Sequence, residues 1–119
     1  MSDLSKRARG RWGEDRAAAH LRRLGYRIVD RNWRSTEVGV PGELDIVAEL
    51  GRVVVFCEVK ARRQGGFGGA ASAVDEPKRQ RIRALAESWL RQRPQCETDV
   101  RFDVIAIEGV SLEHHEAAF

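Results

Sequence analysis

Two apolar runs joined by one short turn constrain this chain more than any other feature. Glu43 to Glu49 and Val53 to Ala61 each read as a strand, and Gly51-Arg52 between them suits a two-residue loop, so the pair forms a hairpin. In such a loop Leu50 pairs with Val53, and counting back along the ladder sets Asp45 directly opposite Glu58. A four-residue loop from Leu50 to Val53 keeps the same register. Because strand side chains alternate, Glu58 and Lys60 share one face while Cys57, Val59 and Ala61 take the other. The strand Val53 to Ala61 is apolar until its far end, where the charges gather.

Directly opposed residues have Cβ atoms about 5 Å apart, and like charges there are destabilising. Two carboxylates so placed repel by on the order of 3 kcal/mol at an effective dielectric of about 20, unless a proton or a cation relieves them. Hard oxygen ligands of this kind fit magnesium or manganese. Lys60, two residues beyond Glu58, is placed to orient a water or to stabilise charge developing on a phosphate. The competing interpretation is a ladder of surface ion pairs, in which Glu43, opposite Lys60, and Glu58 balance nearby bases.

The rest of the chain supplies elements around the hairpin. Ala17, Ala18, Leu21 and Leu24 follow helical spacing from about Arg11 to Leu24, and Gly25 offers a natural stop. Glu14 precedes Ala17 and Ala18 by three and four residues, so a carboxylate shares the face that seeks the core. Tyr26 to Trp33 reads as a strand and Ser35 to Gly42 as a loop. Gln64 to Ser72 carries four glycines, which suits either a loop closing over a ligand or a plain connector. Asp75, Glu76 and Pro77 begin a second helix that ends before Pro94, and its Ile82, Leu85, Ala86, Trp89 and Leu90 form a clear amphipathic stripe. Trp89 is therefore expected in the core. Arg101 to Glu108 reads as a buried strand with one inserted acid, Asp103. The expected order is αβββαβ in one α/β domain spanning residues 1–119, with 1–10 and 111–119 as flexible ends.

Composition narrows the class. Hydrophobic residues at 42% and charged residues at 33% suit a globular domain and exclude a disordered one. No run approaches the roughly 18 apolar residues of a membrane span, and Met1 to Arg11 lacks the apolar stretch of a signal peptide, so a cytoplasmic protein without membrane partners is expected. A net charge of +3 and a pI near 9.3 permit a polyanionic partner. Basic residues cluster at Lys6 to Arg16, Lys60 to Arg63 and Lys78 to Arg83, as nucleic-acid contacts or as solvated faces. Cys57 and Cys96 form no CxxC pair and read as free thiols, and with His20, His114 and His115 scattered, a zinc site is set aside.

Gly42-Glu43-Leu44-Asp45-Ile46-Val47, followed by Val55-Phe56-Cys57-Glu58-Val59-Lys60-Ala61-Arg62, resembles the PD-(D/E)XK nuclease superfamily. More closely, the chain resembles the YraN family of small bacterial endonuclease-like proteins. The likeness covers almost the whole chain, including Gly13-Glu14, Phe67-Gly68, Lys78 and Arg101-Phe102-Asp103-Val104. Leu44 stands where the superfamily's dipeptide has proline, as in the GELD form of the YraN type. The resemblance implies a restriction-endonuclease-like core with a mixed central sheet flanked by helices. It also implies Asp45 and Glu58 as metal ligands, Lys60 as the catalytic lysine and Glu14 as an accessory acid, with Holliday-junction resolvases as the nearest characterised relatives.

The expected function is therefore a magnesium- or manganese-dependent endonuclease acting on nucleic acid, with DNA, branched forms included, as the expected substrate. Arg62, Lys78 and Arg79 are expected to contact phosphates. A homodimer is compatible with the sequence. One rival is a non-catalytic nucleic-acid-binding module, against which the opposed acids argue, because phosphate binding gains nothing from them. The other is a structural or partner-binding protein.

Overall fold

A computed structural model describes residues 2–62, 74–93 and 99–119, with side chains at 10–61, 74–93 and 99–119. Helix α1 (Ser2–Arg23) begins nine residues before the expected Arg11. Lys6, Arg7, Ala8 and Arg9 within its first part are good helix formers, but no apolar period runs there to betray a helix. It ends as expected at Gly25, whose φ is +93°. There the Gly25 N–H donates to the Arg22 carbonyl at 3.0 Å and the Tyr26 N–H to the Leu21 carbonyl at 3.0 Å. These two bonds satisfy the last-turn acceptors, and a residue with a Cβ would be strained at that φ.

Strands β1 (Arg27–Trp33), β2 (Leu44–Leu50) and β3 (Val53–Arg62), helix α2 (Glu76–Arg91), then β4 (Asp99–Glu108) and β5 (Ser111–His115) follow. The five strands lie side by side in sequence order. β3 and β4 run parallel, while the other three pairs are antiparallel, so the sheet is mixed as expected. A parallel pair requires a crossover, and α2 lies in that connection. Asp75 caps α2 by accepting from the Lys78 N–H at 3.0 Å, which satisfies one of the free donors of the first turn.

Each face of the sheet has its own helix. Ala17, Ala18 and Leu21 of α1 pack with Ile46, Val55, Ile105 and Ile107 on one face. Ile82, Leu85, Ala86 and Trp89 of α2 pack with Val47, Val54, Phe56 and Val104 on the other. Fully burying such a side chain contributes about 2 kcal/mol of transfer free energy, so both helices are bound firmly to the sheet. Trp89 lies in the core as expected, and its indole N–H donates to Asp30 at 2.7 Å.

The tail corrects the expected ending. Residues 111–115 form β5 on β4, with Ile105 paired to His114 and Ile107 to Leu112. Beyond it the Ala118 N–H donates to the Phe102 carbonyl at 2.8 Å, and the Phe119 ring stacks on Phe102 at 5.3 Å. Ser111-Leu112-Glu113-His114-His115 has one aliphatic residue and no strand period, so its structure comes from these tertiary partners. The glycine-rich stretch Gln64 to Ser72, including Phe67-Gly68, and Cys96 lie outside the described residues. Among the described residues no helix is long and apolar enough to cross a membrane.

Candidate functional site

The hairpin ladder runs from Leu50 opposite Val53 to Ile46 opposite Cys57, the register expected from the loop. Asp45 and Glu58 come next, one step past the last ladder pair. β3 stays paired with β4 as far as Arg62 opposite Glu108, so β2 parts from β3 at the two acids. Where the ladder stops, the Val59 N–H donates to Asp45 Oδ2 at 2.9 Å, and a side chain takes over from a backbone acceptor. A backbone donor in this half-buried position would be costly to leave unmade.

The parting strands open a cleft of about 260 Å³ against α2. Glu43, Asp45 and Glu58 line its strand side, Lys78 and Arg81 its helix side, with Ile82 and Leu85 as apolar wall. Burial, repulsion by Glu58 and a hydrogen bond shared with Glu58 push the Asp45 carboxyl up to about 8, against the opposing pull of the Val59 N–H and Lys78. The Asp45 carboxyl thus favours its protonated form well above the ordinary carboxylate range. Lys78 Nζ lies 3.3 Å from Glu58 Oε1 and brings a positive charge to the pair.

Glu14 approaches from the other helix. Burial first, then the Asp45 charge, raise its carboxyl above the ordinary value, while a hydrogen bond with Asn32 and the charge of Arg31 oppose that rise. Its position depends on Gly13, because a Cβ there would stand 2.8 Å from the Ala61 Cβ. Only a residue without a side chain lets α1 settle on the end of β3, and the next residue is then carried toward the acid pair.

The remaining expected site residues divide. Lys60 is half-buried and shares the face of Glu58 by strand alternation, but it does not line the cleft. The side chain of Arg62 lies outside the described residues. Lys78 reaches the cleft, where its ammonium pairs with Glu58. Arg79 turns away: its Nε donates to the Val74 carbonyl at 2.9 Å and its guanidinium lies 5.5 Å over the Phe119 ring. Arg81 lines the cleft. Residues three apart share a helix face, so the i+3 partner of Lys78 was the available signal for Arg81.

A second polar cluster lies on the α1 face. Cys57, Asp103 and His114 bring ligand-type atoms within 4.8 Å of one another, a convergence that sequence spacing does not show. Asp103 is fully engaged: Arg101 donates to both of its oxygens at 2.8 and 2.7 Å, the Ala117 N–H donates to Oδ1 at 3.0 Å, and His114 Nε2 lies 2.7 Å from Oδ2. Burial alone would raise this carboxyl, but those hydrogen bonds outweigh it and hold it below the ordinary value. Burial pushes the Cys57 thiol well up, and the Asp103 charge adds to the effect. A cation here would have to displace the Arg101 guanidinium, so the cluster acts as a fastening for β5.

The donor chemistry of the cleft, by contrast, fits a hard divalent ion. Asp45 and Glu58 line the cleft with largely buried carboxylate oxygens, and the raised Asp45 carboxyl marks a place where a cation's charge would relieve the pair.

Comparison with known sequences agrees on one family. The profile of the uncharacterised protein family UPF0102 matches residues 13–107, a span that includes Glu14, both hairpin strands, α2 and most of β4. A UPF0102 protein of Frankia casuarinae is 47% identical, with 97% of this chain and 98% of that protein covered. The UPF0102 protein of Rhodococcus jostii is 50% identical over 94% of this chain and 96% of its own length. That of Geobacter sulfurreducens is 46% identical over 90% of this chain and 84% of its own length. With full-length likeness of this degree and the family profile spanning both the hairpin and its flanking helices, the chain belongs to the UPF0102 family, the YraN family of the sequence resemblance.

Proposed function

We propose that this protein is a metal-dependent endonuclease acting on nucleic acid, with DNA as its substrate and the cleft between β2, β3 and α2 as its active site. The observation that carries the reading is the pair Asp45 and Glu58, held together at a strand end with the Asp45 carboxyl raised to about 8. Glu58 has Lys78 beside it, but it also faces a second acid, Asp45, in the cleft, which a purely structural ion pair would not require.

Asp45 and Glu58 would hold a magnesium or manganese ion, which when bound supplies a Lewis acid for the phosphate and lowers the pKa of water. The chain's own groups do the rest. The Val59 N–H fixes the orientation of the Asp45 carboxylate. Lys78 balances the charge of Glu58, and Arg81 takes a non-bridging oxygen of the phosphate on the helix side of the cleft. Glu14 orients a water from the α1 side, and its raised carboxyl makes it a better proton acceptor than an ordinary carboxylate. Lys60 stabilises charge on the leaving or attacking oxygen. Arg62, two residues on in sequence, contributes a phosphate contact.

The deciding experiment incubates purified protein with branched, duplex and single-stranded DNA, and with RNA, in magnesium, manganese or EDTA. Cleavage that needs metal and disappears in Asp45→Asn supports the reading, and no cleavage of any substrate with either metal removes it. One observation favours a second reading, a non-catalytic nucleic-acid-binding protein. The Lys78 ammonium already stands 3.3 Å from Glu58, so a positive charge of the chain itself partly relieves the acid pair. Salt-sensitive binding without turnover would be its signature.

A further inference from the structure

Among the described residues Trp12 is the only aromatic side chain that is largely exposed, at 48%. Its setting differs from that of an incidental surface residue. The Arg16 guanidinium lies 4.9 Å over the ring centroid. The same guanidinium donates through its two terminal nitrogens to the carbonyls of Gly109 and Val110, each at 3.0 Å. These carbonyls belong to the turn between β4 and β5, so the group covering one face of the indole is anchored to the sheet. With that face covered, the exposed surface of the ring consists of its opposite face and its edges.

We propose that Trp12, backed by Arg16, is a stacking platform for an unpaired nucleobase. The platform is rigid before any ligand arrives: Arg16 is held by two backbone acceptors, and Gly13 beside Trp12 presses α1 against Ala61. Little side-chain freedom remains to be lost on binding, which is the condition for a flat aromatic contact to yield net affinity. The surrounding charge selects an anionic partner. Arg11 is exposed and unpaired among the described residues, Arg16 keeps its full charge against neutral carbonyls, and the nearby Asp15 is neutralised by Arg31 at 2.7 Å. A base within a duplex is covered on both faces by its neighbours, so the ligand must present a base that is not: a single strand, a tail or a fork.

The inference rests on the reading of the cleft as a nucleic-acid site and adds the form of substrate. Trp12 and Glu14 lie two residues apart on α1 and project toward opposite sides of the helix, Glu14 toward Asn32 of β1 and Trp12 toward the β4–β5 turn. Glu14 thus links cleft and platform, facing the acid pair from one side of α1 while the platform occupies the other side. The substrate assigned by this arrangement is DNA with a single-stranded segment next to the cleaved bond.

Binding can be separated from chemistry by working in EDTA. Fluorescein-labelled oligonucleotides, one single-stranded, one blunt duplex and one duplex with a single-stranded tail, are titrated with wild type, Trp12→Ala and Trp12→Phe. Trp12→Ala should weaken binding of the single strand and the tailed duplex about five-fold or more, with the blunt duplex changed less than two-fold, and Trp12→Phe should retain most of the affinity. Circular dichroism should show both variants folded as wild type, since the ring is on the surface. Equal loss on all three oligonucleotides, or no loss on any, overturns the platform. So does a dimer in sedimentation that Trp12→Ala dissolves, because the ring then belongs to an interface between copies. Metal-dependent cleavage with no discrimination by Trp12 would leave the nuclease reading intact and remove only this one. Discrimination without cleavage would do the reverse.

Discussion

Asp45 Oδ2 accepts the Val59 N–H at 2.9 Å immediately beyond the last rung of the β2–β3 ladder, so the residue proposed to bind metal also completes the backbone bonding of the sheet. That double role makes the effect of Asp45→Asn calculable in direction. The folded carboxyl sits near 8 against an ordinary 3.8, so between those values the folded state keeps a proton that the unfolded chain has lost. Stability due to this group is full below about 4 and declines as pH rises toward 8. An asparagine preserves both contacts, its carbonyl accepting from Val59 and its amide donating to Glu58, without the titration. In EDTA at pH 8 the variant should melt about 5 °C or more above wild type, with the gap closing toward pH 4. Thermal melts across that range check it. A variant less stable than wild type at pH 8 would show that the pair is not strained without metal. Metal-dependent cleavage should be lost in the same variant.

Arg81→Ala and Arg79→Ala should separate the two arginines that sequence position leaves equivalent. Arg81 lines the cleft, while Arg79 holds the Val74 carbonyl and covers Phe119. Removing Arg81 should weaken DNA binding for every sequence and lower the salt slope by about one unit, with the melting temperature nearly unchanged. Removing Arg79 should lower the melting temperature and leave the slope as it is. Anisotropy titrations at several salt concentrations, beside thermal melts, distinguish them. If Arg79→Ala alone changes the slope, the assignment of the two is reversed.

What could be read beforehand was what a local period encodes. The register placing Asp45 against Glu58 follows from a two-residue turn and strict alternation, and the α2 stripe follows from helical spacing; both lie as expected. β5 could not be read this way, because its single leucine forms no pattern and its order depends on Asp103 and Phe102, distant in sequence. The start of α1 was hidden for the opposite reason, since its propensity is helical but no apolar face announces it. That Arg81, and not Arg79, lines the cleft turns on which face of α2 meets it. The apolar stripe indicated that only indirectly.

Gly13 offers a test of how α1 is placed. An added methyl would meet the Ala61 Cβ at 2.8 Å, well inside contact distance and against the body of a strand. Gly13→Ala should destabilise the fold by about 1–3 kcal/mol through overpacking, the intrinsic helix preference for alanine returning up to about 1 kcal/mol of that. Ala61→Gly removes the opposing methyl, so the double variant should recover stability beyond the sum of the single changes. A urea-denaturation cycle measures the coupling, and additivity would mean that the two positions do not touch. Cleavage should fall in Gly13→Ala, because Glu14 moves with the helix.

Asp103→Asn tests whether charge, and not shape, fastens β5. The carboxylate is completely buried and takes four hydrogen bonds, from Arg101, His114 and the Ala117 N–H, so its neutral replacement leaves the Arg101 guanidinium without its closest anion and one donor without an acceptor. Breaking a buried pair on one side typically costs about 3–5 kcal/mol, and Arg101, mostly but not wholly buried, places the expected loss at about 3 kcal/mol at neutral pH. Because the folded carboxyl lies below its unfolded value, the stabilisation is present above the unfolded pKa and is lost as pH falls through the folded one. The difference between wild type and variant should therefore be large at pH 7 and shrink on acidification below pH 4. Urea denaturation at both pH values measures it, while hydrogen exchange at residues 111–115 should report early opening of β5 in the variant. A loss of stability that is the same at both pH values would mean that hydrogen-bond geometry alone, without the charge, holds the strand.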